Sequence, residues 1–177
     1  MARRADFSGD RDPARRQSAV QERIRAMLVL ERLCTRFPRV LAQLRAVDGP
    51  GQTREPIDEA RLTGLMHALL LIDHEDVRPL MQDGPDDESA TQIGLLLKIE
   101  RILFVPRVTT AATTEAELEQ HVASDVETCR QSLDCRTLVV FVYDPTGRVA
   151  DPREFEQRLS HERSGVTVRV IVAPWRS

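Results

Sequence analysis

The acidic clusters are the first residues to weigh, because grouped carboxylates can hold a divalent cation and activate water. Two such groups stand close together, His74-Glu75-Asp76 and Asp86-Asp87-Glu88, in or near a stretch from Val77 to Ala90 whose composition reads as a loop. At such a place, solvated charge is the commoner role. His67 falls on or beside an apolar helical stripe with no second histidine or carboxylate at i+4, so a packed neutral histidine is expected. Cys34, Cys129 and Cys135 form no CxxC pair and no Cys/His cluster. They are expected as buried or half-buried free thiols rather than zinc ligands or a disulfide framework.

The cations are unusual in kind. Lys98 is the only lysine among 25 basic residues, against 28 acidic ones, for a net charge of −3. Arginine suits bidentate phosphate contacts. The overall balance, however, is not that of a strongly basic nucleic-acid-binding domain. A length of 177 residues suits one domain. No apolar run approaches the ~18 residues of a membrane span, and the arginine-bearing N-terminus lacks the apolar segment of a secretory signal. The expected setting is the cytoplasm, with no membrane partner.

The elements that must position any site follow from periodicity. Met1 to Gln17 mixes arginines, aspartates, Gly and Pro and reads as a disordered tail. From Ser18 the pattern is helical, with Val20, Ile24, Met27, Leu28, Leu30 and Leu33 as the apolar face and a kink or restart expected at Pro38. After an Asp48–Pro56 loop, a second helix starts near Asp58 and fades around Ile72, carrying Leu62, Leu65, Met66, Leu69 and Leu70. Gln92–Lys98 and Arg101–Val108 then read as a hairpin with a two-residue turn, with Pro106 awkward unless at a bulge or an edge. A helix capped by Thr113 or Thr114 runs to about Ser132. It is followed by the strand Thr137–Tyr143, a helix opened by Asp151-Pro152 and the strand Val166–Ala173. The order implies an α/β fold: a mixed β-sheet flanked by helices, behind an N-terminal helical preface. The division is a tail (1–17), a helical segment packed on the core (18–76) and an α/β core (77–177).

The run DVRPLMQDG, then IGLLLKIERILFVPR, then CRTLVVFVYDPTGR and VTVRVIVAP resembles the PD-(D/E)XK nuclease superfamily, in the group of DpnII/MboI-type restriction enzymes. The resemblance spans about Val29 to Pro174 and implies a restriction-endonuclease-like fold. Its chemistry needs an acid on the first hairpin strand and Glu-x-Lys on the second, whose i and i+2 side chains share one face. Together they hold Mg²⁺ and position the attacking water. Carried onto this chain, the first acid falls at Gly94, the second at Val105 and the lysine at Arg107. Asp58 or Glu59 could preserve an acid of the preceding helix. Glu100, in the hairpin turn, is ~17 Å of strand from Val105, and Asp86 to Glu88 precede the first strand, so neither is a convincing relocation.

The resemblance therefore implies a nuclease fold without catalysis: no metal, no cofactor (Mg²⁺ only if acids are relocated) and a role as a binding or regulatory subunit, by family analogy in a bacterial defence system. The partner is a protein or a second copy of the chain. The alternatives are nucleic-acid binding without cleavage, through Arg101, Arg107, Arg130 and Arg136, and an active endonuclease that draws on Glu100 or Asp87.

Overall fold

A computed structural model describes residues 13–47, 56–82 and 91–174. Most of the tail (1–12), the loop 48–55, the acids Asp86 to Glu88 and Trp175 lie outside the described residues. Among the described residues, six strands form one mixed sheet in the order β1-β2-β3-β4-β6-β5, flanked by four helices. The strands are β1 (Val77–Gln82), β2 (Thr91–Leu97), β3 (Ile102–Val108), β4 (Thr137–Tyr143), β5 (Glu162–Arg163) and β6 (Val166–Ala173). The helices are α1 (Pro13–Val47), α2 (Glu59–Leu70), α3 (Glu115–Gln131) and α4 (Pro152–Leu159). This is the expected α/β architecture.

Strand alternation sends side chains to two separate cores. On one face, Leu95, Leu97, Ile102, Phe104, Val139, Phe141, Tyr143 and Ile171 pack under α1 and α2. On the other, Leu103, Val105, Leu138, Val140, Val142, Val168 and Val170 pack under α3 and α4. The near-continuous apolar runs of β3 and β4 follow from this double cover. β3, β4 and β6 run parallel, and β2 pairs antiparallel with both β1 and β3. Phe37 of α1 meets Phe141 and Tyr143 edge-on, at ring-centroid distances of 5.8 and 5.5 Å, and pins α1 to the centre of the sheet.

Several expectations are corrected. The helix begins at Pro13, so residues 13–17 are not tail, and it runs unbroken through Pro38. Proline removes one i→i−4 bond there, but Phe37 and Leu41 on either side are buried and hold the turn in place. Its buried stripe is Ala26, Leu30, Cys34, Phe37 and Leu41, with Met27 and Leu33 half-buried, whereas Val20, Ile24 and Leu28 are exposed. Their spacing is equally helical, so periodicity did not distinguish the covered face from the open one. The stretch from Val77 is a strand rather than a loop, with Pro79 tolerated because β1 is an edge.

The turn between β2 and β3 spans four residues, Lys98 to Arg101, and closes with Arg101 at φ 61°. Cys129 and Cys135 are joined in a disulfide across the end of α3, with Cα atoms 5.3 Å apart, and only Cys34 is a free thiol among the described residues. Their six-residue separation spans the α3–β4 turn, whose reversal brings the two thiols face to face. Spacing alone had not revealed that.

Local chemistry fixes the helix starts. Asp58 caps α2 by accepting from the Arg61 N–H at 2.7 Å. Thr114 and Glu117 form a reciprocal capping box on α3. Asp151 caps α4, with Pro152 at its first turn.

Candidate functional site

Pro106 explains how β2 and β3 part. The β2–β3 ladder ends at Leu95↔Phe104, while β3 continues beside β4 as far as Val108↔Tyr143. From Val105 onward, β3 is an edge on its β2 flank. The Phe104 carbonyl points to that flank, and by strand alternation so does the Pro106 nitrogen, which therefore costs no ladder bond. This is the edge position that a proline within the run required.

The three positions to which the resemblance carries the catalytic residues come together on the α3 face. A Cβ built on Gly94 would lie 3.1 Å from Val105 Cγ2 and 3.3 Å from Leu103 Cδ1. It would also lie 2.6 Å from the Phe104 carbonyl oxygen, closer than any real side chain stands. The backbone of β2 thus approaches β3 so closely that no side chain fits at Gly94. The register breaks next to it: Leu80 faces Gly94 but Met81 faces Gln92, leaving Ile93 as the extra residue of a bulge. Val105 is 1 % exposed and belongs to the α3-side core.

Arg107, two residues on, faces the same way and is held by two carboxylates. Its Nη2 donates to Asp125 Oδ1 and Oδ2 of α3 at 2.8 and 3.0 Å. Its Nη1 lies 3.5 Å from Glu59 Oε2 at the start of α2. Asp125 is buried, and that burial pushes its carboxyl pKa up against the opposing pull of the Arg107 guanidinium. The Arg107 Nε is itself buried without a hydrogen-bond partner. Glu59 Oε1 accepts from the Val108 N–H at 3.5 Å, so the acid that the resemblance left at the N-terminus of α2 does reach the hairpin. What it meets there is a guanidinium.

These residues do not fit a divalent cation. One expected ligand position has no room for a side chain, the second is a buried valine, and the two nearby carboxylates are bound to Arg107. Among the described residues, no group of three or more His, Cys, Asp or Glu side chains could hold a metal ion.

The other candidates are dispersed. His74 Nδ1 pairs with Glu100 Oε1 at 2.7 Å, in a mostly buried contact between the end of α2 and the hairpin turn. Asp76 is bound by Arg78. His67 Nε2 faces the Val77 carbonyl at 3.2 Å, a packed and structural role. Arg101 and Arg136 sit together where β3 and β4 begin, with the Arg136 N–H donating to the Arg101 carbonyl at 2.9 Å. Arg130, at the end of α3, is tied to Glu127. Arg107 lies at the far end of β3, about 20 Å from Arg101 by strand rise.

Asp125 escaped notice in the sequence, although it lies three residues after inward-facing Val122. Asp144 escaped as well. Its buried carboxylate accepts from the Thr109 hydroxyl at 2.5 Å and from the Arg148 and Val149 N–H groups, and so ties the ends of β3 and β4 together. Burial raises its pKa, but these donors outweigh burial and hold it below the ordinary carboxylate value.

No curated protein and no solved structure matches the chain. The family model described as REase_DpnII-MboI matches residues 28–175, which include the β2–β3 hairpin and all of the two hydrophobic cores except Ala26 and Met27. The chain belongs to the DpnII-MboI restriction endonuclease family.

Proposed function

We propose that this protein is a catalytically inactive member of its family, acting as a binding or regulatory subunit. The observation that carries the reading is the contact at Gly94. A backbone carbonyl fills the space that a first-strand carboxylate would need. Val105 and the Arg107–Asp125–Glu59 cluster support it, because they replace a metal centre with apolar packing and an ion-pair network. The partner is another cytoplasmic protein or a second copy of the chain. The link to a bacterial defence system rests on family analogy alone. Incubation with supercoiled and linear duplex DNA in Mg²⁺ and then Mn²⁺ tests the reading, with no product expected. Metal-dependent cleavage that survives rigorous purification and is abolished by Asp125→Asn would overturn it.

A second reading, duplex binding without cleavage, draws on Arg101 and Arg136 at the start of β3 and β4. Its mark is affinity that falls steeply with salt and weakens in Arg136→Ala. Absence of binding at low salt rejects it.

A further inference from the structure

A cavity of about 410 Å³ opens at the carboxyl ends of β3 and β4, on the α1/α2 side of the sheet. Open α/β sheets offer ligand sites at this end, and the volume lies within the range of small-molecule pockets. Its walls are chiefly apolar and flat: Pro56, Ile57, Ala111, Pro145 and the ring of Tyr143. The floor is rigid. The Thr109 N–H donates to the Tyr143 carbonyl at 3.0 Å, and the Thr109 hydroxyl is bound to the buried Asp144 carboxylate. The Asp144 charge behind that floor is matched by three donors. The Thr110 hydroxyl is engaged with Thr113 at 3.2 Å.

Two groups at the cavity are not engaged in this way. Arg45, at the end of α1, makes no hydrogen bond or ion pair among the described residues, and neither does the Tyr143 hydroxyl. Burial holds the Tyr143 pKa above its ordinary value, against the pull of Arg45, so at neutral pH the hydroxyl remains a donor. Half-buried Arg45 and the phenol-bearing Tyr143 thus both line a space walled by flat apolar surfaces. Donors without acceptors call for an anionic group, and the flat walls call for a ring.

We propose that this cavity binds a small planar aromatic ring bearing an anionic group, with the ring against Tyr143, Pro56 and Pro145 and the anion on Arg45. The site lies across the sheet from Val105 and stands whether or not the hairpin cleaves nucleic acid. Two sources share this chemistry, a nucleoside monophosphate and an aromatic carboxylate.

The test is an NMR titration of the full chain with AMP, salicylate, adenosine and inorganic phosphate. AMP or salicylate should give saturable shifts at Thr110, Ala111 and Thr146, and whichever binds identifies the source. Adenosine and phosphate, each half of the chemistry, should bind at least tenfold more weakly than AMP if AMP is the binder. Arg45→Ala should weaken binding at least tenfold, and Ala111→Phe should abolish it by filling the cavity. Arg45 lies on a helix surface, so its variant remains informative should Ala111→Phe fail to fold. Absence of saturable shifts with both AMP and salicylate would overturn the proposal, as would affinity unchanged in Arg45→Ala.

Discussion

Gly94→Ala is the substitution whose effect is most directly legible in the geometry. Alanine adds one methyl group at a point 2.6 Å from the Phe104 carbonyl oxygen, where ordinary contact begins about 0.8 Å further out. The opposing atom is main chain of β3 at the last residue paired with β2, so no side chain can swing away. Gly94 does not occupy the left-handed region, so alanine would also restrict the unfolded chain and return about 0.5–1 kcal/mol. Overpacking a well-filled interior costs about 1–3 kcal/mol, and a backbone clash belongs at the upper end or beyond. The net expectation is a loss of about 2 kcal/mol, which for a chain of this size lowers Tm by roughly 4–8 °C. Gly94→Asp should be worse, because it also buries a carboxylate against Leu103 and Val105. Thermal and urea denaturation followed by circular dichroism measures both. A Gly94→Ala protein that melts at or above the wild-type temperature would refute the close approach, and with it the argument that this position can no longer carry an acid.

Other predictions follow from the same contacts. Arg107→Ala leaves Asp125 buried without its partner and should cost roughly 3 kcal/mol, with part of the loss recovered in the Arg107→Ala/Asp125→Ala double variant; equal losses in the single and double variants would deny the coupling. Phe37→Ala removes the ring that meets both Phe141 and Tyr143 and should cost about 3–5 kcal/mol in urea unfolding. A loss below 1 kcal/mol would mean that α1 is not fixed to the sheet there. Asp144 has a folded-state pKa below its unfolded value, so its stabilisation is complete above about pH 4 and fades as the pH falls through the folded value. The stability gap between wild type and Asp144→Asn should therefore be widest near neutrality and narrow towards about pH 3. A gap that widens in acid would contradict the assignment.

Much of the fold was legible because its signals are local. Thr137–Tyr143 and Val166–Ala173 are continuous β-branched and aromatic runs, and both strands have those bounds. Asp58, Thr114 and Asp151 cap helices as their side chains suggest. Signals failed where two answers shared one period. The exposed stripe Val20–Ile24–Leu28 is as apolar as the buried Leu30–Cys34–Phe37, and only the position of the sheet selects between them. β1 was missed because Pro79 and the polar residues Arg78 and Gln82 mask an edge strand. At the candidate site, the face shared by Val105 and Arg107 followed from strand alternation, and the contact of Gly94 with it is seen only in the structure. The carboxylates that bind Arg107 did not follow from it, since Asp125 and Glu59 come from helices whose placement is a tertiary matter. The Cys129–Cys135 pairing was hidden for the same reason.

The most direct test of the central claim is isothermal titration of the wild-type protein with Mn²⁺ and Mg²⁺. The packing at Gly94 and the Arg107 ion pairs predict no saturable heat at millimolar metal. Stoichiometric binding that disappears in Asp125→Asn or Glu59→Gln would contradict the account, because it would show those carboxylates holding a cation in place of the guanidinium.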